Sequence, residues 1–567
     1  MKACSIVLCI IWLGCPQVSF ADPGQTLISA MAAELSRNRA KLKIDDFEVP
    51  YFIGYRIVDE KKIHVSASFG ALIHDSESKR RRAFVDVRVG DYKFDSSPDP
   101  ELGLNLDYEQ FRPSAQIPLD DDQSAIQGTL WLLTDTAYKK ALSMYLQKKA
   151  KAVNSVKKAH VDSFSKEAVT TAVNQSLSPR IDRPAWRTLV KGMSLRFRKT
   201  ESLMSGTVSF GFVHLKTYVV NSEGTRVAKE YGLYQLVLDA VTRAPDGMLL
   251  EQGKTLYFRS LDEMPSPGEL DGLVDAVADD LMALRIAPMA DPYTGPAILE
   301  SEASGVFFHE TIGHRLEGER QNDDSEGQTF KGQLGKKILP EFIDIVDDPT
   351  LRVLNTQTLN GHYTHDDEGV PAQRTVLIEN GILKTFLTSR TPVEGVSQSN
   401  GHGRAQGTAR PVARMGNLMV TSSKRVSRNR LKEMLIDEAK KQGKPYGLII
   451  TDIIGGSTNT SNYGYQAFKG TPRKVYRVDA KTGAETLVRG VEMVGTPLSA
   501  INKIVATGRD YGAFNGYCGA ESGYVPVSAS APAVLFREVE LQRTKRAKRR
   551  NPVLPAPWNL SPNSAVK

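Results

Sequence analysis

The six residues His309-Glu310-Thr311-Ile312-Gly313-His314 have the clearest capacity for chemistry in this 567-residue chain. Two imidazoles, common metal ligands, stand with a carboxylate directly after the first. The spacing H-E-x-x-x-H is one residue longer than H-E-x-x-H, whose histidines share one helical face and one ion. Five residues at about 100° each leave the two side chains roughly 140° apart on an ideal helix. A regular helix would aim them poorly. The spacing therefore predicts a one-residue π-bulge, with Gly313 lowering the steric barrier to the distortion. Glu310 is placed to take a proton from water activated by the metal and to pass it to a leaving amine. Standing alone, the same residues also fit a half-buried histidine beside a surface ion pair.

A catalytic zinc usually has three protein ligands and one open position, so two histidines are not enough. The cysteines bear on the third. Residues 1–21 read as a targeting segment: Lys2, an apolar run over 5–15, and the small-x-small pattern Ser19-Phe20-Ala21. The run is too short to span a bilayer, and no later segment is long enough, so no transmembrane span is expected. A lipoprotein cut before Cys15 is disfavoured by Trp12-Leu13-Gly14. Cleavage after Ala21 removes Cys4, Cys9 and Cys15 and leaves Cys518 alone. One thiol in an exported chain suggests an intermolecular bridge, a reactive group, or a sulfur tied up, for instance by a metal.

The formal charge of +8 does not describe a basic surface. Removing Lys2 leaves +7; the run 543–550 (RTKRAKRR) carries six of these and Lys567 the last, so 22–542 is about neutral. Such a basic end reads as a solvated, disordered tail from Thr544, and no nucleic-acid partner is expected.

The elements that must position these groups fall into two halves. Helical spacing marks 24–42, 124–153 and 268–284, and alternation marks strands at 51–59, 62–72, 82–92, 208–220 and 233–241. A polar stretch, 161–184, precedes strand-like runs from Leu195. The segment 287–295 (APMADPYTG) is the best boundary. Beyond it, a short strand at 296–300 leads into the motif, and many short strands with glycine-bearing turns follow, with helices at 429–442 and 499–504. The expected class is α+β. A mixed N-terminal domain with antiparallel strands covers 22–290, and a mostly β domain carrying the H-E-x-x-x-H helix covers 291–543. A tail follows over 544–567.

Weaker candidates remain. His362, His365, Asp366, Asp367 and Glu368 offer a second metal set, although a polar loop lining the cleft is the simpler reading. His402 with Arg404, Arg410 and Arg414 could take a peptide carboxylate, against a default of surface solvation. Residues 455–460 (GGSTNT) lack the lysine of a phosphate loop and read as a flexible turn.

Together GVFFHETIGHRLEGE (305–319), DDEGVPAQRTVLIENGILKTFLTSR (366–390), GHGRAQGTARPVARMGNLMV (401–420), LVRGVEMVGTPLSAINKIVATG (487–508) and YCGAESGYVPVSASAPAVLF (517–536) resemble the TldD/PmbA family of metallopeptidases. The N-terminal half is similar only in general layout. The resemblance implies Zn²⁺ held by His309, His314 and Cys518, and hydrolysis of peptides or unfolded polypeptides with Glu310 as base. It also implies a homodimer or a heterodimer with a related chain. Members without the motif are non-catalytic partners, so keeping it resembles the catalytic type. The rival is a non-catalytic peptide-binding or assembly protein with a structural metal. Export sets this chain apart from cytoplasmic members, and Arg315 and the insertion-like stretch 321–337 bear on access to the site. The cleavage pattern predicts a mature chain that starts near Asp22; N-terminal sequencing of exported material checks it, and retention of Met1 would contradict it.

Overall fold

The computed structural model describes residues 23–559, apart from 99–113, 154–160, 174–178, 180, 324, 462–466, 545–548 and 555. The targeting segment thus lies outside the described residues. Helix α1 (Pro23–Lys41) precedes an antiparallel hairpin of β1 (Pro50–Ser68) and β2 (Ala71–Val89). The two strands expected over 51–59 and 62–72 are one strand of 19 residues. The polar step Asp59 to Lys62 does not break it, because β1 is paired on both edges, by β2 and by β3 (Leu203–Asn221). Arg81 also donates to Asp59 across the hairpin at 2.9 Å. Strands β4 (Arg226–Arg243) and β5 (Leu249–Phe258) continue the sheet. Among the described residues, short strands at 114–116 and 171–173 complete seven, and β5 pairs only with β4.

Four helices cover one face of this sheet. Ile53, Tyr55 and Ile57 pack with Leu27 and Met31 of α1 and with Leu130 and Tyr138 of α2 (Gln123–Ala152). Ile63, Val65 and Ala67 pack with Trp186 and Val190 of α3 (Arg183–Arg196) and with Leu270 and Val274 of α4 (Pro267–Ile286). All six β1 positions are odd-numbered, so strand alternation puts them on a single side. Helix α3 stands where the sequence reading has a polar stretch giving way to a strand. Its signals are local: Asp182 accepts from the Ala185 amide, a proline opens the first turn, and Trp186, Val190 and Met193 recur at helical spacing.

The other face meets the second half of the chain through charge. Arg56 donates to the Ala409 carbonyl, Lys229 to the carbonyls of His365 and Asp366 at 2.8 and 2.7 Å, and Arg390 makes a two-pronged contact with Glu223 at 2.7 and 2.8 Å.

In the second half, β6 (Tyr293–Leu299) leads directly into α5 (Ser301–Thr311), the helix of the motif. Strands β7 (Ile343–Asp347) and β8 (Asn417–Ser422) come next, then α6 (Arg428–Lys441), β9 (Tyr446–Thr458), β10 (Phe468–Asp479) and β11 (Val491–Gly495). The long hairpin β12 (Ile504–Ala520) and β13 (Gly523–Arg543) ends the sheet. Pairings close a ring of strands, β13–β6–β9–β10–β11 and back to β13. Phe307 of α5 packs edge-on against Phe468 and Phe536 of that ring, at 5.5 and 4.8 Å between ring centroids. The chain is therefore α+β, with its second half mostly β and the motif helix seated on the sheet.

Two local readings change. Residues 455–458, expected as a flexible turn, are the end of β9. In the tail, where the sequence predicts disorder, the Thr544 amide donates to Gly490, the Arg549 amide donates to Gly247, and Trp558 lies 4.4 Å from the Phe69 ring. No helix among the described residues is long and apolar enough to cross a membrane.

Helix α5 sits so close to β13 that a Cβ on Gly305 would lie 2.4 Å from the Ala529 carbonyl oxygen. Gly305→Ala gains about 1 kcal/mol of helix propensity but incurs about 1–3 kcal/mol of overpacking against backbone. A lowered melting temperature by circular dichroism is expected; a higher one would show α5 free to lift off the sheet.

Candidate metal centre

The two motif histidines converge without a π-bulge. Helix α5 stops at Thr311, Ile312 leaves helical geometry (φ −121°, ψ −41°), and residues 313–316 form a tight 3₁₀ turn. His309 stands in the last helical turn and His314 in the turn that follows. Gly313 has a different use from the one its sequence context suggests: a Cβ there would lie 2.3 Å from the Met415 sulfur. A helix end buried in protein leaves carbonyls without partners. Arg315 supplies them, donating to the carbonyls of Glu310 and Thr311 at 3.1 and 3.2 Å and to the Thr458 hydroxyl at 3.1 Å. Its charge also suits the negative end of the helix dipole. Burial pushes this guanidinium down to about 10.

Cys518, on β12 opposite Val525, brings its sulfur to 3.3 Å from His309 Nε2 and 3.4 Å from His314 Nε2. The three side chains are buried, their ligand atoms lie within 4.8 Å of one another, and the imidazole planes cross at 82°. Nitrogen and sulfur bound to one tetrahedral ion at about 2.0–2.3 Å would sit roughly 3.5 Å apart. The N, N, S set thus fits such an ion. Burial alone would push the Cys518 thiol up; His314 and His309 outweigh it and hold the thiol well below its ordinary range. Conversely, burial lowers both imidazoles, and the sulfur overrides it to raise them.

Glu317 is the functional residue that sequence reasoning missed. Its carboxylate lies 2.9 Å from His314 Nδ1, which turns Nε2 toward the sulfur. Arg320 donates to the same carboxylate at 2.9 Å, and the Arg414 guanidinium stands 3.3 Å from its other oxygen. Burial would raise this acid, but His314 and Arg320 keep it far below the usual carboxylate range. The available signal was the spacing: three residues after a histidine just beyond a helix end. Arg414 then donates to the Cys518 carbonyl at 2.7 Å and to Ser522 and Gly523 at 2.9 and 3.0 Å, tying the hairpin turn to the centre.

Glu310 points along the wall of a cleft of roughly 800 Å³ that also exposes His309, His314 and Cys518. Gly456 of β9 makes room for it, since a Cβ there would lie 2.4 Å from Glu310 Cγ. Among the described residues no protein donor engages its carboxylate. Residues 254–257 of β5, 452–458 of β9 and 513–520 of β12 form the other walls.

The weaker candidates resolve differently. Asp366 accepts from the amides of Glu368, Val370 and Gly403; Asp367 pairs with Lys229 at 2.8 Å; Glu368 accepts from the Arg390 amide. His362 and His365 lie beside Pro349 and Thr364. These carboxylates brace the junction with the N-terminal sheet, and among the described residues the three-ligand grouping is the one at His309. His402, Arg404 and Arg414 are buried, not solvated at the surface. His402 lies 3.2 Å from Asp347, and Arg404 donates to the carbonyls of Met415 and Pro526. They do not converge on a carboxylate site. In the stretch 321–337, Gln321 and Phe330 are buried, and the Gln321 amide donates to the Arg315 carbonyl at 3.1 Å.

Residues 292–543 match a family model described as the PmbA/TldA metallopeptidase C-terminal domain. Over that region the chain carries a domain of the TldD/PmbA family. A metalloprotease of Methanocaldococcus jannaschii is 28% identical over 330 residues, 58% of this chain and 67% of that relative. A metalloprotease of Archaeoglobus fulgidus is 31% identical over 50% of this chain and 63% of its own length. A protein of Saccharolobus solfataricus named zinc metalloprotease TldD homolog is 30% identical over 45% of this chain and 52% of its own length. The solved structure of TldE from Thermococcus kodakarensis shares the fold, with TM-score 0.57, 16% identity, and coverage of 90% of this chain and 100% of that one. The chain thus has relatives named as metalloproteases, and its own N, N, S grouping lies inside the matched region.

If Cys518 ligates a metal, it should alkylate slowly in the metal-loaded protein and readily after chelation. Cys518→Ser should lose most of the metal measured by mass spectrometry. Glu317→Ala should weaken metal affinity by about 10–100-fold. Alkylation indifferent to chelator, with metal kept in the serine variant, would leave Cys518 a packing residue.

Proposed function

We propose that this protein is a zinc-dependent peptidase that hydrolyses extended or unfolded polypeptides, with His309, His314 and Cys518 as ligands and Glu310 as general base. The observation that supports it most is the Glu310 carboxylate: it lies next to a first ligand, on the cleft wall, without a protein donor among the described residues. Its oxygens are open to the cleft, where a water or a substrate can reach them. Zinc, when bound, would polarise a peptide carbonyl and bring the pKa of a water to roughly 7.

The residues of this chain do the rest. Glu310 holds the proton removed from the attacking water and delivers it to the leaving amine. Glu317 fixes His314 so that Nε2 is the free nitrogen. The outer edge of β9 over 452–458 offers amides and carbonyls to an extended substrate, which would add as a strand. A structural zinc would take all four positions from the protein; three donors beside an open cleft favour catalysis over the non-catalytic reading. Export, and work as a dimer with a copy of itself or a related chain, belong to the same proposal. The first rests on residues 1–21, and the second on the family resemblance and on the fold shared with TldE.

The deciding experiment is metal content and peptide hydrolysis of the purified protein beside Glu310→Gln, with light scattering on the same samples. The variant should keep its metal and lose about 10²–10⁴-fold in kcat. Turnover near that of the parent would remove Glu310 from the chemistry.

A further inference from the structure

Helix α5 and strand β12 run side by side along the cleft. Two contacts bracket them: a Cβ on Gly512 would lie 3.0 Å from Ser301, and Cys518 meets His309 at 3.3 Å. Between these points Val306 and Phe514 give the cleft wall its apolar part. Val306 stands one turn before His309 and Glu310 on the same helical face, about 4.5–6 Å along the axis. On β12, whose pairing is regular from Tyr511 to Ala520, Phe514 and Gly516 share the face of Cys518. The Phe514 ring folds over Gly516, where a Cβ would lie 2.8 Å from its Cε1 and 2.9 Å from its Cζ. Gly516 is one repeat from Cys518, about 6.6 Å along the strand. Val527 pairs with Gly516 across the hairpin, on the same face, and is buried at the cleft wall beside it. Phe514 itself is only half-buried and lines the cleft.

Away from the metal centre and Glu310, the charged lining groups are matched among themselves. Lys254 stands 3.5 Å from Glu302, Arg320 donates to Glu521 at 2.9 Å, and Arg473 is 3.8 Å from Asp452. An extended peptide advances about 3.3 Å per residue. A residue flanking a scissile bond held at the centre would therefore set its side chain against Phe514.

We propose that Phe514, laid over Gly516 and backed by Val306 and Val527, is the subsite for the substrate side chain next to the scissile bond, and that it takes a bulky apolar or aromatic residue. The glycine is part of the device: any side chain at 516 would drive the ring into the space the substrate needs. This rests on the peptidase reading, and binding to a protein that does not turn over separates the two.

Metal-loaded Glu310→Gln protein is titrated with short peptides identical except for one residue, Phe, Leu, Ala or Glu, with anisotropy as readout. The Phe peptide should bind about tenfold or more tighter than the Ala peptide, the scale of one filled apolar pocket. Adding Phe514→Ala should bring that ratio close to one, and Phe514→Tyr should keep it. Phe514→Leu, which keeps the core filled, should favour the Leu peptide over the Phe peptide. An unchanged ratio in Phe514→Ala, or tightest binding of the Glu peptide, would overturn the subsite while leaving the peptidase reading intact. If the loaded protein binds none of the peptides, the peptidase reading falls and the subsite with it.

Discussion

A sulfur held between two buried imidazoles, 204 residues along the chain from the nearer one, is the interaction on which the rest depends. Taking such groups out of water carries a penalty of several kcal/mol for each ion unless charge and hydrogen bonds compensate. The compensation here is layered. Glu317 sits between His314, Arg320 and Arg414, and Arg320 reaches on to Glu326 and Glu521 at 3.0 and 2.9 Å. Arg414 closes the circuit by holding the carbonyl of Cys518 itself. The hairpin that carries the sulfur and the turn that carries the second histidine are thus fixed by the same few charges, and neither can shift without unpairing the other.

A second constraint follows from where the helix stops. For His314 to face back toward His309, α5 must end within two residues of Glu310, deep in protein, where its last carbonyls have no water. Arg315 is the solution, and the Thr458 hydroxyl and the Asn459 carbonyl at the end of β9 hold its two terminal nitrogens in place. Ring closure by β6 and β13 then sets the height of the helix, through the contact of Gly305 with the Ala529 carbonyl.

These dependencies explain what could be read from the sequence. Periodic apolar spacing disclosed α1, α2, α4 and α6 because each buries one face against its own neighbourhood. The motif and Cys518 were legible as candidate ligands through residue type and family resemblance, and the structure brings the three side chains together. The geometry between them was not. The π-bulge inference treated the helix as continuous, whereas its end is decided by Arg315 and by a strand more than 140 residues away. His402, Arg404 and Arg414 read as surface groups because their local composition is polar. Their partners are an aspartate over 50 residues off and carbonyls up to 122 residues off, which no window reveals. Glu317 was the exception: its partner is three residues away, and the clue lay in plain spacing.

The walls of the cleft carry the argument one step further. Three strands bring an edge to it, and unpaired edges invite aggregation unless something shelters or occupies them. On β5, Arg473 already donates to the Gly253 carbonyl at 2.7 Å. On β12, the Gln357 side chain takes both backbone groups of Ala513, and Asn515 is held by Thr358 and Ser528. On β9, the parallel pairing with β6 ends at Ile450, and bulges against β10 turn residues 452–458 over the centre. Among the described residues no strand pairs with that outer edge. A chain laid along it would be extended, would have both backbone edges removed from any fold of its own, and would pass Glu310 at the point where Gly456 gives way. Selection for unfolded polypeptide would then come from backbone geometry, and selection among unfolded segments from the side chains that meet them there.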